Sequence, residues 1–347
     1  MNNDFLSDPS MLWSDYRPTP LLDLPALARL AGVARVFVKW EGVRPLGNFK
    51  SLGGMFAGLR MLARATGAAS MDELQAYCAS AAKPPRLITA SDGNHGLAVA
   101  AAARRVGARA SIYLPAGVNR ARADRIEAVG GDIVWIDGTY DEAVEHAAAA
   151  AARGDGLLVP DTSPDPDDVA VADVMAGYAL MAREIRAQLR DEWRERPSHL
   201  FVQTGVGTLA AAMAEGLRDA MREPRRIVVV EPLAAACVAR ALDAGRPERL
   251  PGELHTAAEM LACGLASASA VDILRRHEAT AIGVDDQRLR SATSALRDFG
   301  GLDSTPSGTA GLAGLLQVAA DPASAESHGL NADSRVLLIA SEAAVSA

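Results

Sequence analysis

Leu87-Ile88-Thr89-Ala90-Ser91-Asp92-Gly93-Asn94-His95-Gly96 decides the fold. A short apolar run, strand-like in its β-branched content, breaks into a polar glycine-rich turn and then enters the alanine-rich stretch from Leu97. The same sequence of strand, turn and helix recurs along the chain. Strands are predicted at Val36–Val38, Leu87–Thr89, Ala110–Leu114, Ile133–Ile136, Leu157–Val159, Leu200–Gln203, Ile227–Val230 and Val336–Ile339, with helix-length segments between them. Strands that alternate with helices make parallel sheets with crossover helices, and nearly all-apolar strands mean that both sheet faces are covered. In such sheets ligands collect at the carboxyl edge, where the quoted turn lies.

Composition narrows the partners. The 347 residues carry a formal net charge of −8, with 35 basic against 43 acidic side chains, which argues against a surface built for nucleic acid. No apolar run is long enough to span a bilayer, and the N-terminus lacks a signal-peptide pattern, so no membrane association is expected. Cys78, Cys237 and Cys263 are odd in number and widely spaced, so neither a disulfide framework nor a metal site is expected, and the expected compartment is the cytoplasm. The densest Pro/Asp stretch, Pro160 to Asp168, reads either as a solvated inter-domain loop or as a functional loop. With a second boundary near Lys83-Pro84-Pro85, it suggests a small domain of residues 85–160 inserted into a large discontinuous one of residues 1–84 and 161–347.

Three lysines stand among the 35 basic residues: Lys39, Lys50 and Lys83. Schiff-base chemistry needs an amine that can lose its proton, which arginine cannot supply. Lys50 lies in Leu46-Gly47-Asn48-Phe49-Lys50-Ser51-Leu52-Gly53-Gly54 at a predicted helix start, whereas Lys39 falls inside a strand and Lys83 in a proline-rich loop. Taken alone, Lys50 reads as a solvated first-turn residue, and the motifs downstream reverse that reading. Gln203-Thr204-Gly205-Val206-Gly207-Thr208-Leu209 ends another strand and opens a helix, a place where backbone N–H groups can hold a phosphate. An ordinary tight turn uses the same residues. Asp92 likewise reads either as a turn aspartate capping the next helix or as a general base.

Together, Lys50, the Ser91-to-Gly96 loop and the Gly205-Val206-Gly207-Thr208 loop resemble the fold-type II pyridoxal-phosphate enzymes, the tryptophan-synthase-β-like family, over nearly the whole chain. Within it the pattern is most similar to the diaminopropionate ammonia-lyases. The likeness rests on Val38-Lys39-Trp40-Glu41, Phe49 to Gly54, Asp92 before Gly93-Asn94-His95-Gly96, Val230-Glu231-Pro232, Ala262-Cys263-Gly264-Leu265 and Ser307 to Gly314. The resemblance implies two doubly wound α/β domains with the cofactor in the cleft between them, the smaller closing over the substrate. It also implies roles by position. Lys50 holds pyridoxal 5'-phosphate with Phe49 near its ring, Asn94 bonds the phenolic oxygen, and Gly205, Val206, Gly207, Thr208 and Leu209 bind the phosphate. Ser341 faces the pyridine nitrogen, while Asp92 and Asp161 act as bases.

The implied reaction is α,β-elimination on a small β-substituted amino acid, with 2,3-diaminopropionate giving pyruvate and ammonia. A homodimer is the expected assembly. Two departures bear on substrate. Asp161-Thr162 is followed by the Pro/Asp stretch before Gly177-Tyr178 is reached, and Pro306 stands about where relatives place a glutamate. A serine/threonine dehydratase or a β-replacement synthase of the same fold is the alternative. A non-catalytic pyridoxal-phosphate-binding protein is the alternative of another class.

Overall fold

The computed structural model describes residues 8–91, 93–189, 196–252 and 254–344. The chain divides into two compact units. One comprises Lys50–Asp161, Asp168–Leu180 and the N-terminal stretch to Arg17. The other comprises Pro18–Phe49, Thr162–Asp167 and the chain from Met181 onward.

Among the described residues ten strands form two sheets: β1 (Leu21–Asp23), β2 (Arg35–Trp40), β3 (Arg86–Thr89), β4 (Arg109–Pro115), β5 (Gly131–Ile136), β6 (Leu157–Leu158), β7 (His199–Gln203), β8 (Arg226–Pro232), β9 (Thr280–Val284) and β10 (Arg335–Ala340). The second unit holds the six-stranded sheet, in the order β1-β2-β10-β7-β8-β9, and the first holds the four-stranded sheet, β5-β4-β3-β6. All pairings are parallel except β1 with β2. The fold class read from the sequence, α/β with two sheets, is the one observed.

Burial explains which strands were legible. Every residue of β7 is buried between β10 and β8, as a doubly covered central strand requires. The two strands not foreseen are edges. β9 carries Thr280 and Gly283 and is only partly buried, and β1 has three residues beside Pro20, whose carbonyl accepts from the Trp40 N–H. Weak apolar content and proline suit an edge and hide it from pattern reading. The helix expected around His146–Ala152 begins earlier, at Tyr140, because Thr139 and Glu142 form a reciprocal capping box there.

Parallel register brings the strand ends of the larger sheet to one edge. Ala340 pairs with Trp40 and Gln203 with Val230, so Ser341 and Thr204 both leave at the carboxyl side. The loop after β2 returns to this edge through Leu46, which adopts a left-handed φ of 68°, unusual for a branched residue. Beyond it, Asn48 bridges Glu342 and the Phe49 N–H donates to the Ser341 carbonyl at 2.9 Å.

A buried ionic cluster anchors that loop. Arg44 donates to Glu41 at 2.7 and 2.8 Å and to Glu184 at 2.8 and 2.9 Å. Lys39 Nζ lies 2.6 Å from Glu184 and 2.7 Å from the Thr19 carbonyl. Two cations and two carboxylates balance, which is how such a group tolerates burial. Glu184→Gln leaves an excess buried positive charge and is expected to cost about 3–5 kcal/mol of stability. Urea unfolding would measure it, and a loss within about 0.5 kcal/mol would remove the cluster from the fold's support.

Candidate functional site

Lys50 is the first residue of helix Lys50–Thr66. Its Nζ meets Asp161 Oδ2 at 2.6 Å, both side chains being about one-fifth exposed. Asp161 lies beyond β6 in the same unit, so the fold brings together two residues 111 positions apart. Burial by itself raises the Asp161 carboxyl. The Lys50 ammonium, with His95 and a direct hydrogen bond from Lys50, outweighs burial and holds the carboxyl at about 2. Tyr178 lies in the same electrostatic neighbourhood, and burial pushes its phenol well above the ordinary range. Its ring occupies the space that a side chain at Gly53 would need.

The turn after β3 brings Asn94 and His95 into the first turn of helix Asn94–Val106, and both are buried. Gly96 permits this tight approach, since a Cβ there would stand 2.1 Å from the Ser91 carbonyl oxygen. His95 Nε2 lies 2.9 Å from the Val159 carbonyl. Asp92, expected here as a base, lies outside the described residues.

The other expected cofactor contacts belong to the second unit. Gly207 has φ +102° and caps helix Thr208–Leu217, the left-handed backbone turning Gly205 to Leu209 into a cradle. Val206, Gly207, Thr208 and Leu209 are buried. The Val206 carbonyl accepts from the Ser267 N–H at 2.8 Å, which fixes the loop from outside. First-turn N–H groups of a helix have no intrahelical acceptor, so those at Thr208 and Leu209 suit an external anion. A Cβ at Gly205 would come within 2.8 Å of Cys263 Sγ, so the loop has no room for a side chain there. Just before it, Gln203 Oε1 and Thr204 Oγ1 are buried without a hydrogen-bond partner among the described residues. A narrow backbone cradle, a helix N-terminus and spare polar atoms fit a phosphorylated cofactor.

Ser341 is buried just past β10, its N–H donating to the Gly308 carbonyl at 3.3 Å. Phe49 is half-buried on the same strand end. A neutral hydroxyl at this point suits a pyridine nitrogen that stays unprotonated. Where the sequence shows Pro306 in place of an expected glutamate, Glu342 supplies a carboxylate from the neighbouring strand end. Thr305 Oγ1 donates to that carboxylate, and Ser304 Oγ donates to the Glu342 backbone carbonyl at 2.6 Å. Gln203 also escaped the sequence reading in this role. Its Nε2 donates to the Gly308 and Ile339 carbonyls at 3.0 and 2.8 Å, locking the end of β7 to β10 and to the Ser307–Gly308 turn. Glutamine at a strand's last position was visible in sequence, but its partners are more than 100 residues away.

Gly207→Asp tests the cradle. The substitution imposes a side chain at φ +102°, 3.0 Å from Ala270 Cβ, and sets a carboxylate against a phosphate dianion. Cofactor affinity is expected to fall by about 10²-fold or more, equivalent to about 3 kcal/mol. Gly207→Ala, with the strain but without the charge, is expected to lose less. Equilibrium titration with pyridoxal phosphate reads both, and unchanged affinity in a folded Asp variant would remove this loop from the cofactor site.

Among the described residues no helix is long and apolar enough to cross a membrane, and no group of three or more His, Cys, Asp or Glu side chains could hold a metal ion. The sequence profile of the family described as "Pyridoxal-phosphate dependent enzyme" matches residues 12–342. The chain is 32% identical to the diaminopropionate ammonia-lyase of Escherichia coli K12 over 341 residues, covering 94% of this chain and 84% of that one. A holo crystal structure of the Escherichia coli lyase superposes with a TM-score of 0.83 at 31% identity, covering 96% of this chain and 87% of that one. Serine racemase from Dictyostelium discoideum, 18% identical, superposes with a TM-score of 0.76 over 97% of this chain and 96% of that one, a likeness of fold alone.

Proposed function

The chain belongs to the pyridoxal-phosphate dependent enzymes, and from that membership we propose that it is an ammonia-lyase converting 2,3-diaminopropionate to pyruvate and ammonia. The observation that carries the reading is the Lys50–Asp161 pair, an amine and a carboxylate 2.6 Å apart at the head of a helix. Its context is a chain 32% identical to a diaminopropionate ammonia-lyase. The bound cofactor supplies an electron-withdrawing ring that acidifies the substrate's α-proton. All other steps fall to side chains and backbone.

Lys50 is the proposed attachment point. Asn94 would bond the cofactor's phenolic oxygen and Ser341 would face its ring nitrogen. Phe49 would lie near the ring, and Gly205, Val206, Gly207, Thr208 and Leu209 would hold the phosphate. Asp161 and Asp92 are the proposed bases at the α-carbon. While Lys50 is an ammonium, Asp161 is a weak base, since that charge dominates the downward shift of its carboxyl. Once Lys50 gives up its charge, burial remains as the largest influence and lifts the carboxyl toward the range of a working base. The β-amine then leaves as ammonia, and hydrolysis of the remainder gives pyruvate and a second ammonia.

Incubation of the loaded enzyme with 2,3-diaminopropionate, with pyruvate followed by a coupled dehydrogenase, tests the proposal. Pyruvate release without an added nucleophile supports a lyase, whereas product that forms only when a nucleophile is added would give the β-replacement reading its place. The assembly is proposed as a homodimer, which analytical ultracentrifugation decides. A reducing cytoplasm is the proposed compartment, supported by Cys78, Cys237 and Cys263 forming no disulfide among the described residues, and cell fractionation decides it.

A further inference from the structure

Val159 is the last residue tied to the small sheet before Asp161. Its N–H donates to the Ile88 carbonyl at 2.8 Å, and its own carbonyl faces His95 Nε2 at 2.9 Å. A carbonyl oxygen only accepts, so Nε2 carries the hydrogen. Burial lowers the pKa of the His95 ring. β6 pairs with β3 through two residues, too short a ladder to fix the direction in which the chain leaves. Pro160 then follows, with its φ held near −65° by its ring. Few free torsions therefore separate the Val159 peptide plane from the Asp161 carboxylate. The tie to His95 sets that plane.

We propose that His95 is a positioning residue for Asp161: through the Val159 carbonyl it aims the Asp161 carboxylate at Lys50 Nζ and thereby sets how well the enzyme handles one substrate enantiomer. Its link to enantiomers rests on the reading of Asp161 as a base, whereas the placement of the carboxylate stands apart from that reading. A buried histidine that merely satisfied itself would have no reason to act on one enantiomer more than the other.

The test uses His95→Phe, which keeps an aromatic ring and loses the donor, and His95→Gln, which keeps an N–H donor. In the cofactor-free full chain, the Asp161 carboxyl is titrated by ¹³C NMR. Lys50, His95 and Tyr178 are the titratable groups that act on it among the described residues. In His95→Phe the Asp161 titration is expected to move up from about 2 as the carboxylate leaves the ammonium, and in His95→Gln to stay low. In the holoenzyme, His95→Phe is expected to lose roughly 10²-fold in kcat/KM for the Asp161-dependent enantiomer, the scale of a misplacement of about 1 Å. The other enantiomer and cofactor affinity stay unchanged, and His95→Gln restores most of the loss.

An unmoved Asp161 titration in His95→Phe, or an equal loss on both enantiomers, overturns the proposal. Should the Phe variant not fold, ¹⁵N NMR of the wild-type ring decides: a protonated Nε2 supports it, and a protonated Nδ1 overturns it. If Asp161→Asn itself affects neither enantiomer, the base reading fails on its own, and the titration still judges whether His95 places the carboxylate.

Discussion

Lys50→Ala is expected to give a folded protein that binds no borohydride-reducible pyridoxal phosphate and loses turnover beyond the roughly 10²–10⁴-fold of a missing acid–base group. The size of the effect follows from the lack of a substitute. Lys39 is fully buried, with Nζ held by the Thr19 carbonyl, Gln188 and Glu184, and burial depresses its pKa within a balanced ionic cluster. Moving it would uncover Glu184 and Arg44. Lys83 is exposed in the loop ahead of β3. Lys50 alone combines a helix start, partial exposure and a carboxylate 2.6 Å away. Borohydride reduction followed by peptide mass spectrometry reads the result directly. A pyridoxyl group found on Lys39 or Lys83 would contradict the assignment.

Asp161→Asn is expected to cut turnover of one diaminopropionate enantiomer by roughly 10²–10⁴-fold while sparing the other. The amide keeps the size of the side chain and removes its basicity, so packing at the end of β6 is little disturbed. Asp92→Asn is the matching change for the opposite enantiomer. The same Asp161 variant has a signature in stability against pH. A carboxyl held at about 2, below its ordinary 3.8, contributes stability that is present above pH 4 or so and is lost as pH falls through about 2. Asp161→Asn removes that contribution. Kinetics on the separated enantiomers check the first expectation, and acid unfolding of both proteins checks the second. Equal rates for both enantiomers in the variant would make Asp161 a structural partner of Lys50 only.

Much of this was legible in sequence because it is local. A fully buried parallel strand such as β7 declares itself by unbroken apolar content, and the glycine at 207 marks the φ of +102° that opens a helix. Lys50 stood out through lysine scarcity. The elements that escaped were those whose meaning lies in distant partners. β1 and β9 are edges without a strong pattern, and Gln203 draws its role from Gly308 and Ile339. Glu342 is a second case. It reaches the Ser304–Gly308 turn from another strand end, which no spacing near Pro306 could have indicated. His95 read as a neighbour of Asn94, and its tie to Val159, 64 residues on, needed the fold.

Elimination of ammonia from 2,3-diaminopropionate is the activity on which the other expectations depend. The most direct test compares kcat/KM for diaminopropionate, serine and threonine on the same preparation of holoenzyme, counting keto acid and ammonia for each. Diaminopropionate is expected to be the preferred substrate and to yield two ammonia molecules for every pyruvate. A higher kcat/KM for serine or threonine, with one ammonia for each keto acid and little reaction of diaminopropionate, would contradict it and make the chain a dehydratase.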